Sequence, residues 1–494
     1  MLNYVNNVRF IRSKIFLQVS LYQGLGLLPP VSVKLKPIQE KYLMKQDLKT
    51  ANDFSKGSII GHMVRLAGPM TLAQLVNVLY NIIDRIYIGK IPYDATNALT
   101  GLGVAFPICT VTIAFANLVG MGGAPLFSIE RGKGNDKEAS HILGSSFVLL
   151  LLLGALIGAV GFAVKKPALY LLGASDATYG YANSYISIYL CGTIFVMLSL
   201  GLNSFINAQG FAKTGMLTVS IGAVCNIILD PVFIFAAGMG VKGAALATVI
   251  SQLAAALWTF SFLTGRKTIV RIEKKYMKLS LKRTLKIFGL GLSGFTMSIT
   301  NSAVQMVNNS VLSVWGGDIY IAAMTVINSV REVVQMPVQG ISNSAQPIIS
   351  FNYGAGEKKR VKKAILYMSA ALLIYTFAAW IFVMVFSKPL VLLFNNDTAL
   401  LGAAISSMHV YFFGFFMMSF QFSGQSVFTA LGRSKYAVFF SLFRKVFIVI
   451  PLIYILPHVG GLGVTGVFMA EPVSNFIGGL ACFITMYVTV YRKL

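Results

Sequence analysis

The chain has 494 residues, 56% hydrophobic and 12% charged, with a formal net charge of +25 and a mean hydropathy of +0.73. Soluble domains carry roughly 25% charged residues, so this composition excludes a soluble globule and demands membrane-embedded segments. The positive charge alone would suit a nucleic-acid partner, but it is not clustered as such a partner would need.

Residues 1–56 form a leader with no acid before Glu40 and with Pro29-Pro30 inside it. Residues 1–43 read as a targeting peptide, or as sequence upstream of the true start with Met44 as the alternative first residue. Six mainly apolar runs follow, at 62–89, 98–124, 140–164, 183–208, 215–237 and 242–264. Each is long enough to cross a hydrocarbon core of about 30 Å, and together they make a first lobe over residues 57–264. Residues 265–286 form a basic linker, lying on an anionic inner leaflet or simply solvated. Six further runs, at 287–314, 321–349, 364–387, 404–429, 437–456 and 464–489, make a second lobe over 287–494. The fold class is therefore an all-α membrane protein with twelve transmembrane helices in two six-helix lobes. Short loops suit antiparallel neighbours in such bundles.

Placing the N-terminus in the cytoplasm puts 32 of the 41 Lys and Arg on that side, whereas the opposite loops hold Lys90, Lys165, Lys166, Lys242 and Lys388. This is the positive-inside asymmetry. It predicts a multi-pass protein of the inner (plasma) membrane, both termini cytoplasmic, with the lipid bilayer and no nucleic acid as partner. The four cysteines fall inside predicted spans without metal spacing, and read as packing residues. Arg131-Gly132-Lys133-Gly134 and Tyr353-Gly354-Ala355-Gly356 end the second and eighth spans. They read as helix stops followed by tight turns. They lack the Gly-Lys-Ser/Thr ending of a phosphate loop. No ATP-binding domain is present, so transport by this chain would be driven by a gradient and would need no cofactor.

An internal repeat relates the lobes. At an offset of about 222 residues, Ala208-Gln209-Gly210-Phe211-Ala212-Lys213 meets Ala430-Leu431-Gly432-Arg433-Ser434-Lys435, and Pro125 meets Pro347. Because each lobe has an even number of spans, the repeat is parallel, with its pseudo-twofold axis along the membrane normal.

Only Asp84, Asp230, Glu332 and Glu471 among the acids fall inside spans. A charge at the bilayer centre costs about 2.5–3.5 kcal/mol even on insertion scales. Asp84, Asp230 and Thr248 all lie roughly 7–10 Å below the outer face at 1.5 Å per residue. Asn226 stands four residues before Asp230, on the same helix face. These four residues form a candidate H⁺ or Na⁺ site. Two structural alternatives stand beside it: Asp84 pairing with Arg85, and Asp230 capping its helix before Pro231.

Polar stripes mark other helices. Met324, Asn328, Glu332, Gln335 and Gln339 share one face of span 8. Gln421, Gln425 and Thr429 do so in span 10, as do Ser199, Asn203 and Asn207 in span 4. Asn77 and Asn81 of span 1 stand opposite Asn301 and Gln305 of span 7 in the repeat. Interhelical hydrogen bonding would account for any one stripe; matched stripes on several helices indicate a wet cavity between the lobes. Tyr80, Asn81, Asn203, Asn207, Met324, Asn328, Glu332, Gln335, Gln421 and Gln425 are its candidate lining.

Several segments resemble the MATE (multidrug and toxic compound extrusion) family. Leu79-Tyr80-Asn81-Ile82-Ile83-Asp84-Arg85-Ile86-Tyr87-Ile88-Gly89 looks like its first-helix signature, and Asn226 through Asp230-Pro231 is similar to its fifth-helix motif. Gly240 to Thr248 resembles the start of its sixth helix, and Gln346-Pro347 through Gly356 the end of its eighth. The likeness covers residues 57–494 and looks nearest the prokaryotic branch that includes MepA-like exporters. The resemblance implies drug efflux coupled to H⁺ or Na⁺, with Asp84, Asn226, Asp230 and Thr248 as the cation site of the first lobe. Some members carry an essential acid in helix 7, which this chain lacks between Ile287 and Trp315; Glu332 or Glu471 would have to replace it.

The expectation is thus a cation-coupled antiporter, acting as a monomer and exporting amphipathic, often cationic, small molecules by alternating access. The alternative is a flippase for a lipid-linked or polar lipid precursor, which would need a cationic cavity; Arg85, Arg331, Arg444 and Lys445 are the bases inside the spans. An enzyme is disfavoured, since no nucleophile–base pair is apparent and His62, His141, His409 and His458 lack ligand spacing.

Overall fold

The computed structural model describes residues 52–91, 94–394 and 398–494; the leader up to Ala51, with the question of Met44, lies outside them. The described chain is a succession of twelve helical runs. The first lobe contains α1 (Ile59–Ile88), α2 (Ala95–Gly132), α3 (Asp136–Leu171), α4 (Asp176–Cys191 and Thr193–Ala208), α5 (Ala212–Ala236) and α6 (Val241–Thr264). The second contains α7 (Leu281–Trp315), α8 (Gly317–Gly354), α9 (Lys358–Val385), α10 (Thr398–Ala430), α11 (Ser434–His458) and α12 (Val464–Lys493). Each expected span corresponds to one of these helical runs; among the described residues ten of the runs, or eleven with the bent α4 taken as one, are long and apolar enough to cross a membrane. α4 bends by 58° at Gly192, where a Cβ would lie 2.6 Å from Val249.

The lobes meet along α1 and α2 of the first and α7 and α8 of the second. Small residues permit this approach. A Cβ on Gly122 would fall 2.1 Å from Ile287 O, one on Gly132 2.0 Å from Phe351 O, and one on Gly354 2.0 Å from Ile129 O. The last two contacts are one contact repeated by the pseudo-twofold. The glycine-rich ends of α2 and α8 therefore do two jobs: Gly134 and Gly356 take the left-handed conformation of a helix stop (φ +74° and +77°), while Gly132 and Gly354 let the backbones touch. These contacts lie towards the face that carries the basic linker, so the lobes are sealed there.

The linker is neither loose nor spread on a surface at its start. Gln209 binds it from the end of α4: Oε1 accepts from Thr268 Oγ1 and the amides of Ile269 and Val270, and Nε2 donates to Val270 O at 3.3 Å. Ile269, Val270 and Ile272 are buried. Arg283 then grips Glu138 with two hydrogen bonds, at 3.0 and 3.1 Å.

Candidate functional site

A cavity of about 490 Å³ lies between the lobes. Its wall takes in Asn77 and Tyr80 of α1, Asn117 of α2, Asn203 and Asn207 of α4, and Gln252 of α6. From the second lobe come Asn301, Gln339, Asn343, Gln346, Gln425 and Thr429. The α4 stripe reaches this wall whole and those of α1, α7 and α10 in part: Asn77 without Asn81, Asn301 without Gln305, and Gln425 with Thr429 without Gln421. Asn117, Gln252, Asn343 and Gln346 were missed because each is a lone polar residue or sits beyond the counted stripe.

Not every candidate reaches this wall. Met324 is buried in the core of the second lobe (1% exposed), because an unbranched apolar side chain gains more there than beside water. Asn81 donates to Asn77 O at 2.7 Å, and Asn328 is half-buried, but neither lines the cavity. Glu332 is exposed and outside the wall. α8 carries Pro337, and only the part of its stripe beyond that residue, from Gln339, faces the main cavity. Gln335 and Gln421 line instead a small adjoining pocket of about 40 Å³, with Gln425 common to both walls.

In the first lobe, Asp84, Asn226, Asp230 and Thr248 come together and are all buried. Asn226 Nδ2 donates to Asp230 Oδ1 at 3.2 Å and reaches Thr248 Oγ1 at 3.5 Å. Asp84 lies close to Asp230 in this cluster. Asp84 Oδ1, Asp230 Oδ2 and Asn226 Oδ1 are buried oxygens without a partner. Buried acceptors of this kind are costly unless a hydrogen or a cation satisfies them. Two carboxylates, an amide oxygen and a hydroxyl form a hard-oxygen set suited to a proton or a sodium ion.

Both structural alternatives for these acids fail. Arg85 is exposed and stacks its guanidinium over Phe106, 5.2 Å from the ring centroid. Asp230 does not cap a helix: α5 runs through Pro231 into a π-helical turn, Val232–Ala236. Such wide turns recur at functional positions. Asn226 and Thr248 also form part of the cavity wall, with the two acids behind them. Tyr185 and Tyr189 are buried in the core of the first lobe.

Glu471 and Glu332 do not share a pocket: Glu471 lines the small one and Glu332 does not. Glu471 accepts from Arg444 Nη1 at 3.0 Å and from Lys445 Nζ at 3.2 and 3.3 Å, so its charge is already met. Arg331 turns from Glu332 and donates to Tyr411 OH at 3.1 Å. All four cysteines are free thiols.

The family model described as MatE matches residues 69–232 and 294–455, one stretch in each lobe. The chain is similar to the multidrug export protein MepA of Staphylococcus saprophyticus subsp. saprophyticus, at 24% identity over 435 residues, covering 88% of this chain and 95% of that protein. Its counterpart in Staphylococcus haemolyticus is 26% identical over 428 residues, covering 86% and 93%. Among solved structures, a MATE protein in complex with MaD3S superposes with a TM-score of 0.84 at 24% identity, covering 90% of this chain and 99% of that one. An outward-facing multidrug resistance MATE transporter of the MOP superfamily gives 0.83 at the same identity and coverage. These likenesses carry the two-lobed fold.

Proposed function

Because the chain belongs to the MatE family, we propose that it is an antiporter, driven by H⁺ or Na⁺, that exports amphipathic organic compounds by alternating access. The observation that carries this reading is the placement of the acid cluster. Asp84 and Asp230 sit behind Asn226 and Thr248, which themselves form part of the cavity wall. A cation entering the cluster offsets one negative charge of the Asp84–Asp230 pair and draws the orphaned oxygens inward, so α1, α5 and α6 change their packing when it binds. A transporter needs such a ligand-dependent bias between two states.

The relatives named multidrug export protein supply the substrate class, and the cavity's mixture of amides, hydroxyls and methionine suits varied amphipathic ligands. The seal along α2, α7 and α8 lies on the basic face, which the positive-inside rule puts in the cytoplasm. In that orientation the cavity serves release to the outside. The protein acts in the plasma membrane, as a monomer, with the cation site confined to the first lobe.

The test is export of a fluorescent organic cation into inverted vesicles, with a pH step and a sodium step imposed separately. The wild-type protein responds to one of the two. Asp84→Asn and Asp230→Asn each insert normally and lose the gradient-driven component. Full gradient-driven transport by either variant refutes the reading.

A further inference from the structure

The second lobe holds a cluster that the cation site does not use. Arg331 of α8 and Arg444 and Lys445 of α11 surround a single carboxylate, Glu471 of α12, inside helices. A structural ion pair needs one cation per carboxylate, and Arg444 with Glu471 would complete it. Arg331 and Lys445 are surplus. Glu332, the neighbouring acid, is exposed and outside the pocket, and Tyr411 offers Arg331 a neutral hydroxyl. An uncompensated positive charge at membrane depth is costly and marks a functional position.

The fold is shaped to hold it. Arg444 and Lys445 lie in a π-helical turn, Phe443–Val449, and face a second such turn, Asn475–Gly479. Consecutive side chains on an α-helix point about 100° apart; the wider turn lets both reach the same carboxylate. Asn475 Oδ1 accepts from Arg444 Nη1 at 2.6 Å. Gly478 makes room for the arginine stem, since a Cβ there would lie 2.9 Å from Arg444 Cγ.

The donors border an opening. The pocket of about 40 Å³ has room for a few waters or for the oxygens of one acid group. Arg331 Nε is buried there without a partner, and Gln421 Oε1 is an orphaned acceptor of the same wall. Met297, Asn301, Phe422 and Gln425 line both this pocket and the main cavity. By the 222-residue repeat, Arg331 and Tyr411 stand where the first lobe has Cys109 and Tyr189.

We infer that Arg331, Arg444 and Lys445 form an anion subsite opening onto the central cavity, which takes the carboxylate, phosphate or sulfonate of an amphipathic ligand. The inference rests on reading that cavity as the substrate path, and it extends the substrate class to acidic and zwitterionic amphiphiles.

Equilibrium binding to the intact protein in phosphatidylcholine nanodiscs tests it. The probes are 11-(dansylamino)undecanoate, an anion, and rhodamine 6G, a cation, with empty discs as control. Arg331→Gln weakens the dansyl acid about tenfold or more, since charge-assisted hydrogen bonds are lost, and leaves rhodamine 6G within about twofold. Arg331→Lys retains most of the dansyl affinity. Should Arg331→Gln not fold, Gln335→Glu places a repelling charge in the same wall and gives the same selective loss. Displacement of the dansyl acid by inorganic phosphate assigns the subsite to soluble acids. Displacement only when phosphatidylglycerol is added to the discs assigns it to a lipid headgroup. No dansyl binding by the wild-type protein, or equal losses for both probes, overturns the inference. The assay imposes no gradient, so its failure leaves the cation-coupling result standing, and the reverse holds too.

Discussion

Replacing Glu471 by Gln removes the one carboxylate shared by Arg444 and Lys445, while keeping its volume. The three side chains are 8%, 6% and 9% exposed, and the contacts are 3.0 and 3.2 Å. At an effective dielectric constant of about 20, each such contact is worth roughly 5 kcal/mol gross. Desolvation and the mutual repulsion of the cations take back much of this, and removing one partner of a buried pair costs about 3–5 kcal/mol. Glu471→Gln should therefore lower stability by about 3–5 kcal/mol in equilibrium unfolding from mixed micelles. Lys445→Met in the same background removes one stranded charge and should recover at least about 1.5 kcal/mol, a coupling of the size neighbouring sites show. The same Gln variant, having lost a negative charge from the pocket, should bind the dansyl acid more tightly. A loss below about 1 kcal/mol, or additivity of the two substitutions, would refute the ion-cluster reasoning.

Gly354→Val places a side chain against the backbone at Ile129 O, which no rotamer change relieves. It should prevent closure on the basic face, seen as increased labelling of a cysteine introduced at Ser128 and loss of transport with normal insertion. Glu332→Gln should change cationic and neutral dye transport by less than about twofold, because the side chain is exposed outside the cavity; surface substitutions of this kind stay within about 0.5 kcal/mol. Gln209→Ala deletes the acceptor of three linker hydrogen bonds and should release the linker to trypsin at Arg266 or Lys267 in limited proteolysis, at a stability cost of about 2–3 kcal/mol for the orphaned buried groups.

The sequence by itself determined the number of helical runs, their repeat and which residues meet in the buried acid cluster of the first lobe. These are properties of one helix or of an offset along the chain. Hydrophobic length fixes a span, and depth in the membrane follows from counting residues along it. Depth brought Asp84, Asp230 and Thr248 to one level, and the four-residue spacing added Asn226. The rotation of each helix about its own axis was not legible, because it depends on what packs on every side. That rotation and the proline in α8 sent Met324 into the core and left Glu332 outside the cavity. Only the tertiary structure showed that Gln335 and Gln421 serve a separate pocket. A π-helical turn leaves no periodic signal, so the sequence could not reveal that Arg444 and Lys445 converge on Glu471. Nor could it show that glycines read as helix stops are also where the two lobes touch. Burial and close approach are settled between helices, whereas length, depth and register are settled within one.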